Sequence, residues 1–342
     1  MIYGHGDDLY AYPQGIRANF SSNVWHLGTH PQLQAALQNA ITTIDHYPDP
    51  NGDTIRQALA RKYNLTPEHF TVTNGAAEAL YNITQAWRQT AATIFVPAFS
   101  EYEDAATLNN ITLTFLPEET LSHTDTTLTT PLAFLCNPNN PTGRSTPAET
   151  LVKLIADNPD TVFVVDEAYT DFTEISQSLL PHLNALPNVI LVRAYTKTYA
   201  IPGLRIGYTI SQPQLTARIL KFKIPWSVNS LALEACRYIL QHESTLRPNM
   251  SALLTETRWL QQQINALAPF EAQPSATPFF LAKLNKGNST ELKQYLATEW
   301  QCLVRDAANF RALGNTYIRI ATQTREKNEL LLNGLRAWTR HT

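Results

Sequence analysis

Four features of the chain could do chemistry together: a lysine, an acid, an arginine fork and a helix start able to take an anion. Lys197 follows the apolar run Val189–Ala194 (VILVRA) and stands eight residues before Arg205. Asp166 closes a second apolar run, 161–166 (TVFVVD), and Tyr169 comes three residues later. The segment 73–78 (TNGAAE) opens a helical pattern, and its glycine and small residues let a ligand approach the free N–H groups of a first turn. Each feature alone has a plainer reading. A lysine after a strand is usually a solvated surface residue. Asn-Gly-Ala is more often a helix-start turn than an anion cradle. Asp166-Glu167 could be the acidic pair of a nucleotide triphosphatase, but that needs GxxxxGK[ST], and the chain has no Gly-Lys dipeptide. Gly4-His5-Gly6 is no dinucleotide fingerprint, and the nine histidines show no metal spacing, so no metal is expected.

Taken together, the four suit pyridoxal phosphate. A lysine amine condenses with the cofactor's aldehyde. A carboxylate beside the pyridine nitrogen keeps it protonated, and the ring then withdraws electrons. The phosphate takes a helix N-terminus, a hydroxyl and an arginine fork.

The elements that would position these groups are legible in the apolar patterning. Runs at 93–97, 132–137, 161–166, 189–194 and 205–210 are β-branched and continuous rather than alternating. Strands buried on both faces read this way, which predicts an α/β sheet covered by helices. Leu33, Leu37, Ala40, Ile41 and Ile44 follow helical spacing. Thr66-Pro67 and Thr146-Pro147 each read as an N-cap with proline at the first helical position, the second with Glu149 as a capping-box partner. After about residue 228 helical periodicity (Leu253, Leu254, Thr257, Leu260, Ile264, Leu267) gives way to strands at Phe279–Leu284 and Tyr317–Ala321 and a helix at 326–338. We therefore expect an N-terminal arm over 1–30 packing with the smaller domain, a large cofactor domain over 31–228 and a small α+β domain over 229–342.

Composition bounds the rest. The 342 residues carry a net charge of −3 with 44 % hydrophobic and 16 % charged residues, which suits a globular core and argues against nucleic acid as a partner. Three scattered cysteines form no disulfide framework or zinc pattern and fit a reducing compartment. No run reaches the ~18 apolar residues of a membrane span, so a cytoplasmic location and no membrane contact are expected.

The strings CNPNNPTG (136–143), VVDEAY (164–169) and TKTYAIPGLRIGY (196–208) resemble the fold-type I pyridoxal-phosphate enzymes of aminotransferase class I/II, in order and over nearly the whole chain. The resemblance implies a large domain with a mostly parallel seven-stranded sheet between helices, a small α+β domain, and a homodimer with shared active sites. It makes Lys197 the residue that binds the aldehyde and Asp166 the pyridine-nitrogen partner. Tyr169 and Asn140 would contact the ring 3′-oxygen, and Phe99 would stack on the ring. Ala76, Ala77, Thr196 and Arg205 would hold the phosphate, with Tyr47 (in HYPDP) reaching the neighbouring subunit's cofactor. Arg319 (in YIRIA) would take the substrate carboxylate. Lys197, Asp166 and Tyr169 are thus the expected catalytic residues.

Two subfamilies fit: threonine-phosphate decarboxylase of cobalamin biosynthesis and histidinol-phosphate aminotransferase. GHGDDLY (4–10) and NFSSNVWHLG (19–28) are similar to segments of the decarboxylases, which favours a small phosphorylated amino acid such as O-phospho-L-threonine as substrate. His5, Asn23, Arg305 and Arg319 are its expected contacts. Arg305, beside Asp306, reads equally well as a surface ion pair or as a phosphate fork. The alternative activity is amino transfer between the substrate and 2-oxoglutarate. More remote is a non-catalytic sensor on the same fold, expected to lose the lysine or to carry an added DNA-binding domain. The chain departs from the decarboxylase pattern at Asp7, where a glycine is usual, and at Trp25-His26, which replace Asn-Pro; Ala194 lacks a hydroxyl that many aminotransferase relatives carry.

Overall fold

The computed structural model describes residues 6–123 and 125–341. Its strands, in chain order, are β1 (Ala18–Asn19), β2 (Phe70–Thr73), β3 (Ala91–Val96), β4 (Thr112–Pro117), β5 (Leu132–Cys136), β6 (Val162–Asp166), β7 (Val189–Ala194), β8 (Gly207–Ser211), β9 (Phe270–Ala272), β10 (Phe279–Leu284), β11 (Cys302–Leu303), β12 (Arg305–Asp306) and β13 (Tyr317–Ala321). The helices are α1 (Pro31–Ala40), α2 (Asp53–Tyr63), α3 (Gly75–Ala86), α4 (Glu101–Leu108), α5 (Ala148–Ala156), α6 (Pro213–Leu220), α7 (Ser230–Leu246), α8 (Met250–Asn265), α9 (Ser289–Glu299) and α10 (Arg325–His341). None among the described residues is long and apolar enough to cross a membrane.

A seven-stranded sheet runs in the order β2-β8-β7-β6-β5-β3-β4. Only β8 is antiparallel to both its neighbours. The continuous apolar runs explain the burial of both faces. Alternate residues point to opposite sides, so Ala133, Leu135, Phe163 and Val165 enter one core while Leu132, Phe134 and Val164 enter another. A four-stranded antiparallel sheet, β12-β13-β10-β9, packs with α8, α9 and α10 around a third core. The N-terminal segment joins that core: β1 pairs in parallel with β11, and Ala18 and Phe20 are fully buried there.

Several local expectations shift for identifiable reasons. Thr66-Pro67 starts no α-helix; Pro67–His69 is one 3₁₀ turn, because Phe70 already belongs to strand β2. Thr146 is not a cap either. Asn137 clasps its N–H and C=O at 2.8 and 2.9 Å, so α5 starts one residue later, behind Pro147. The periodic run from Leu33 ends as a helix at Ala40 and continues as a 3₁₀ turn, which leaves Ile41 and Ile44 exposed. Strand β8 begins at Gly207 rather than 205, since Arg205 adopts a left-handed φ of 58°. The sequence boundary at 228 assigns α7 to the smaller unit, whereas Ala232, Ala235, Cys236 and Ile239 of α7 pack in a core of the large sheet.

Candidate active site

The carboxyl ends of the parallel strands open onto a cavity of about 430 Å³. Asp166 ends β6, and register places it opposite Cys136 of β5 and Val192 of β7. Thr196 and Lys197 follow β7 directly, and both line the cavity. Ala76 and Ala77 reach it from the first turn of α3, whose leading N–H groups have no partner within the helix. Close packing holds that turn in place. Gly75 has φ 75°, and a Cβ there would lie 2.5 Å from Arg205 Nη2. A Cβ on Gly207 would lie 2.7 Å from the Ala76 nitrogen. The helix start therefore sits directly over the Arg205 guanidinium and the β8 backbone, as an anion cradle requires.

Asp166 is buried. Its Oδ2 accepts from Tyr102 Oη at 2.7 Å and its Oδ1 from the Ala168 N–H at 2.9 Å. Burial raises its pKa against those two hydrogen bonds, and no cation among the described residues forms an ion pair with it. Burial, with the charges of Arg319 and Arg205, lowers the Lys197 ammonium to about 8, so about a tenth is neutral amine at pH 7. The Trp25 N–H donates to the Lys197 carbonyl at 3.0 Å and ties the segment before α1 to the lysine turn. Phe99 lines the cavity edge-on to Tyr102, with ring centroids 5.9 Å apart.

Arg319, on β13, is buried. Its Nη1 donates to Asn140 Oδ1 at 2.5 Å and its Nη2 to the Ser21 carbonyl at 2.6 Å, while Nε has no partner. Burial lowers this guanidinium to about 10. Since Arg319 claims the Asn140 oxygen, the Asn140 amide nitrogen is left as a donor. Asn23 Nδ2 lies 3.5 Å from Tyr169 Oη, and Asn23 Oδ1 is buried without a partner. Burial pushes the Tyr169 phenol up to about 12, so it remains a donor at neutral pH.

Eleven of the expected residues thus meet in one cavity: Asn23, Ala76, Ala77, Phe99, Asn140, Asp166, Tyr169, Thr196, Lys197, Arg205 and Arg319. Two do not, and His5 lies outside the described residues. Tyr47 is 86 % exposed, rests against Trp226 with centroids 5.4 Å apart, and does not line this cavity. Arg305 lies behind Gly6, whose added Cβ would come within 3.1 Å of Arg305 Cδ. The surface-pair reading of Arg305 fails: the residue is 7 % exposed and donates to Asn309 Oδ1 at 2.8 Å, while the Asp306 carboxylate takes Ser289, Thr290 and the Ala308 N–H. Sequence reasoning missed Tyr102, Ser21 and Cys136 of the site. Tyr102 had a signal, standing three residues after Phe99 and so on the same side of a turn. Ser21 acts through its backbone carbonyl, which no residue type announces.

Pyridoxal phosphate fits these residues. A buried carboxylate without a cation awaits a pyridinium, a partly neutral lysine awaits an aldehyde, and a helix start with an arginine awaits a phosphate. The fold is that of fold-type I pyridoxal-phosphate enzymes. L-Threonine-O-3-phosphate decarboxylase from Porphyromonas gingivalis superimposes with a TM-score of 0.91 at 36 % identity, covering 94 % of this chain and 99 % of that one. The chain belongs to the aminotransferase class I and II family, which it matches over residues 17–335. Threonine-phosphate decarboxylase of Salmonella typhimurium is 31 % identical over 330 residues, 93 % of this chain and 90 % of that protein. Histidinol-phosphate aminotransferase of Caldanaerobacter subterraneus subsp. tengcongensis is 28 % identical over 303 residues, 86 % of this chain and 84 % of that protein.

Proposed function

We propose that this chain is a pyridoxal-phosphate-dependent decarboxylase of a small phosphorylated amino acid, O-phospho-L-threonine, working as a homodimer. The observation that carries the reading is Arg319: a buried guanidinium facing the cavity beside Lys197 with no acidic partner among its hydrogen bonds. Such a group awaits an anion from outside the chain. Two decarboxylases similar to this chain support the substrate class.

When bound, pyridoxal phosphate would supply an aldehyde for the substrate amine and a ring that withdraws electrons from the substrate Cα. The chain's residues do the rest. Asp166 holds a proton on the pyridine nitrogen, and Tyr102 and Ala168 hold Asp166. Ala76, Ala77, Thr196 and Arg205 would hold the cofactor phosphate, Phe99 would pack on the ring, and Asn140 and Tyr169 would offer donors to its 3′-oxygen. Arg319 would bind the substrate carboxylate, Arg305 and His5 would serve the substrate phosphate, and Asn23 would contact the substrate. Lys197 accepts or delivers the proton at Cα: after loss of the carboxylate as carbon dioxide its ammonium protonates Cα.

The same residues would serve amino transfer, in which Lys197 removes the Cα proton instead, and the similarity to histidinol-phosphate aminotransferase supports that second reading. Purified protein incubated with O-phospho-L-threonine separates them. Carbon dioxide release is expected; amino transfer to 2-oxoglutarate without it overturns the decarboxylase. The dimer is supported by the exposed apolar residues Ile41, Ile44, Tyr47, Ile224 and Trp226, and by Tyr47 standing clear of its own chain's cavity. There it is free to serve a neighbouring site. Light scattering should find a dimer, and a fully active monomer would remove the shared-site argument.

A further inference from the structure

No step of the chemistry above uses Glu118, yet its surroundings are unusual. Glu118 follows β4 and is buried against the loop 137–143. Thr142 Oγ1 lies 3.1 Å from Glu118 Oε1. That hydroxyl already accepts from Asn139 Nδ2 at 3.1 Å and from the Arg144 N–H at 3.2 Å, so its single proton goes to Glu118. The other Asn139 amide proton goes to the Pro97 carbonyl at 2.9 Å. Two acceptors are left over: Glu118 Oε2 and Asn139 Oδ1 are both buried with no hydrogen-bond partner. Arg144 does not relieve them, since its Nη1 bonds Glu119 at 2.5 Å and stays 3.8 Å from Glu118 Oε2. Neither acceptor meets a donor, and a carboxylic acid at position 118 would add one proton to the cluster.

The next residue in the loop is Asn140, whose Oδ1 holds Arg319 Nη1. We propose that Glu118 is a positioning residue: as a neutral carboxylic acid it fixes the loop 137–143, and through Asn140 the Arg319 guanidinium, in the geometry that receives the substrate's anion. The proposal rests on the reading that Arg319 holds that anion. Burial favours the neutral form and pushes the Glu118 carboxyl up to about 7, against the Arg144 charge, the Thr142 hydrogen bond and the dipole of the nearby Asn139 amide. The other charged or titratable groups facing it do not reverse this. Glu119 is a like charge, and the buried Cys136 thiol is pushed well up and stays neutral.

The sign follows. Above pH 7 Glu118 ionises, the leftover acceptors gain no donor, and the loop must shift, so substrate binding weakens as pH rises. Glu118→Gln cannot ionise and supplies amide protons. Holoenzyme is tested with O-phospho-L-threonine and with L-glutamate, both of which offer Arg319 a carboxylate. The wild-type KM should rise by roughly tenfold per pH unit at most above the Glu118 midpoint, with kcat changing less, and Glu118→Gln should flatten that rise. Glu118→Ala should show the high KM at every pH. Melting of cofactor-free protein gives a readout without catalysis. A carboxyl with a raised folded pKa destabilises as pH climbs from its ordinary value through 7, so the Gln variant should lose that part of the slope. A Gln variant whose KM and melting temperature follow pH as in the wild type overturns the proposal, and so does an Ala variant with unchanged KM. If neither amino acid binds the wild type, the substrate reading itself fails. Glu118 is then judged on the melt: an unchanged slope in the Gln variant overturns its neutral state, and a flattened one supports it.

Discussion

Lys197 and Asp166 reach the cavity from neighbouring strands of one sheet, whereas Arg319, Asn140 and the Ser21 carbonyl meet there from three distant stretches of chain. On the cofactor side, position is set by backbone register: Asp166 pairs with Val192, and Lys197 follows the same strand. On the proposed substrate side, position is set by side-chain hydrogen bonds spanning much of the sequence. A register is cooperative and resists single substitutions. A side-chain network transmits the loss of one member to the others. Substitutions on the cofactor side should therefore remove chemistry and leave binding geometry intact, while those on the substrate side should alter affinity and discrimination.

The largest effect belongs to Lys197. Lys197→Ala should lower turnover by about a thousandfold or more, the scale of a lost proton-transfer group. Borohydride treatment of the wild type should fix the cofactor on Lys197; mass spectrometry finding it on another lysine would break the cofactor side of the comparison. Next comes Asp166→Asn, which keeps size and loses charge. Turnover should fall about a hundredfold to a thousandfold while the far-ultraviolet circular dichroism is retained. Near-normal turnover with cofactor loaded would show that Asp166 only caps the Ala168 turn.

Arg305 tests the substrate side. Arg305→Ala should weaken use of O-phospho-L-threonine by about 2–5 kcal/mol in kcat/KM, the range for losing a desolvated charged partner. A non-phosphorylated analogue, poor from the start, should barely change. Equal losses on both substrates would make Arg305 a packing residue behind Gly6, where its guanidinium already lies 5.1 Å from the Phe310 ring centroid.

The smallest expected effect sharpens the boundary between the two sides. Tyr102→Phe removes one hydrogen bond to Asp166, worth about 1.5–3 kcal/mol when the acceptor is charged. That bond opposes the upward shift of Asp166, so its loss raises the Asp166 pKa further. The acidic limb of the pH–rate profile should then move to higher pH. An unmoved limb would mean that the Ala168 N–H alone suffices.

Much of this was legible in the sequence. A parallel strand buried on both faces leaves a continuous apolar run, and the observed β5, β6 and β7 fall on such runs, while the antiparallel β10 and β13 match the strand-like pieces at Phe279–Leu284 and Tyr317–Ala321. Polar residues just past those runs mark the ligand end of an open sheet, which is why Asp166, Tyr169, Thr196 and Lys197 could be singled out without coordinates. Thr66-Pro67 misled because a proline and an N-cap type mark the start of any right-handed turn, and the number of turns that follow depends on the strand waiting at Phe70. Helix α7 carries an apolar face that would suit either core, and only the packing of Ala232 and Cys236 beneath the large sheet settles which one it joins.

The local order of residues determined the strands, the ligand end of the sheet and the cofactor chemistry, because apolar period and strand-end polarity are properties of consecutive residues. Tertiary structure alone decided that Arg305 is buried, that Tyr102 serves Asp166, that the Ser21 carbonyl orients Arg319, and that Glu118 lies against Thr142 and Asn139 in a cluster with two acceptors to spare. Burial and hydrogen-bond count depend on which distant segments come together, and nothing in the neighbouring residues records that.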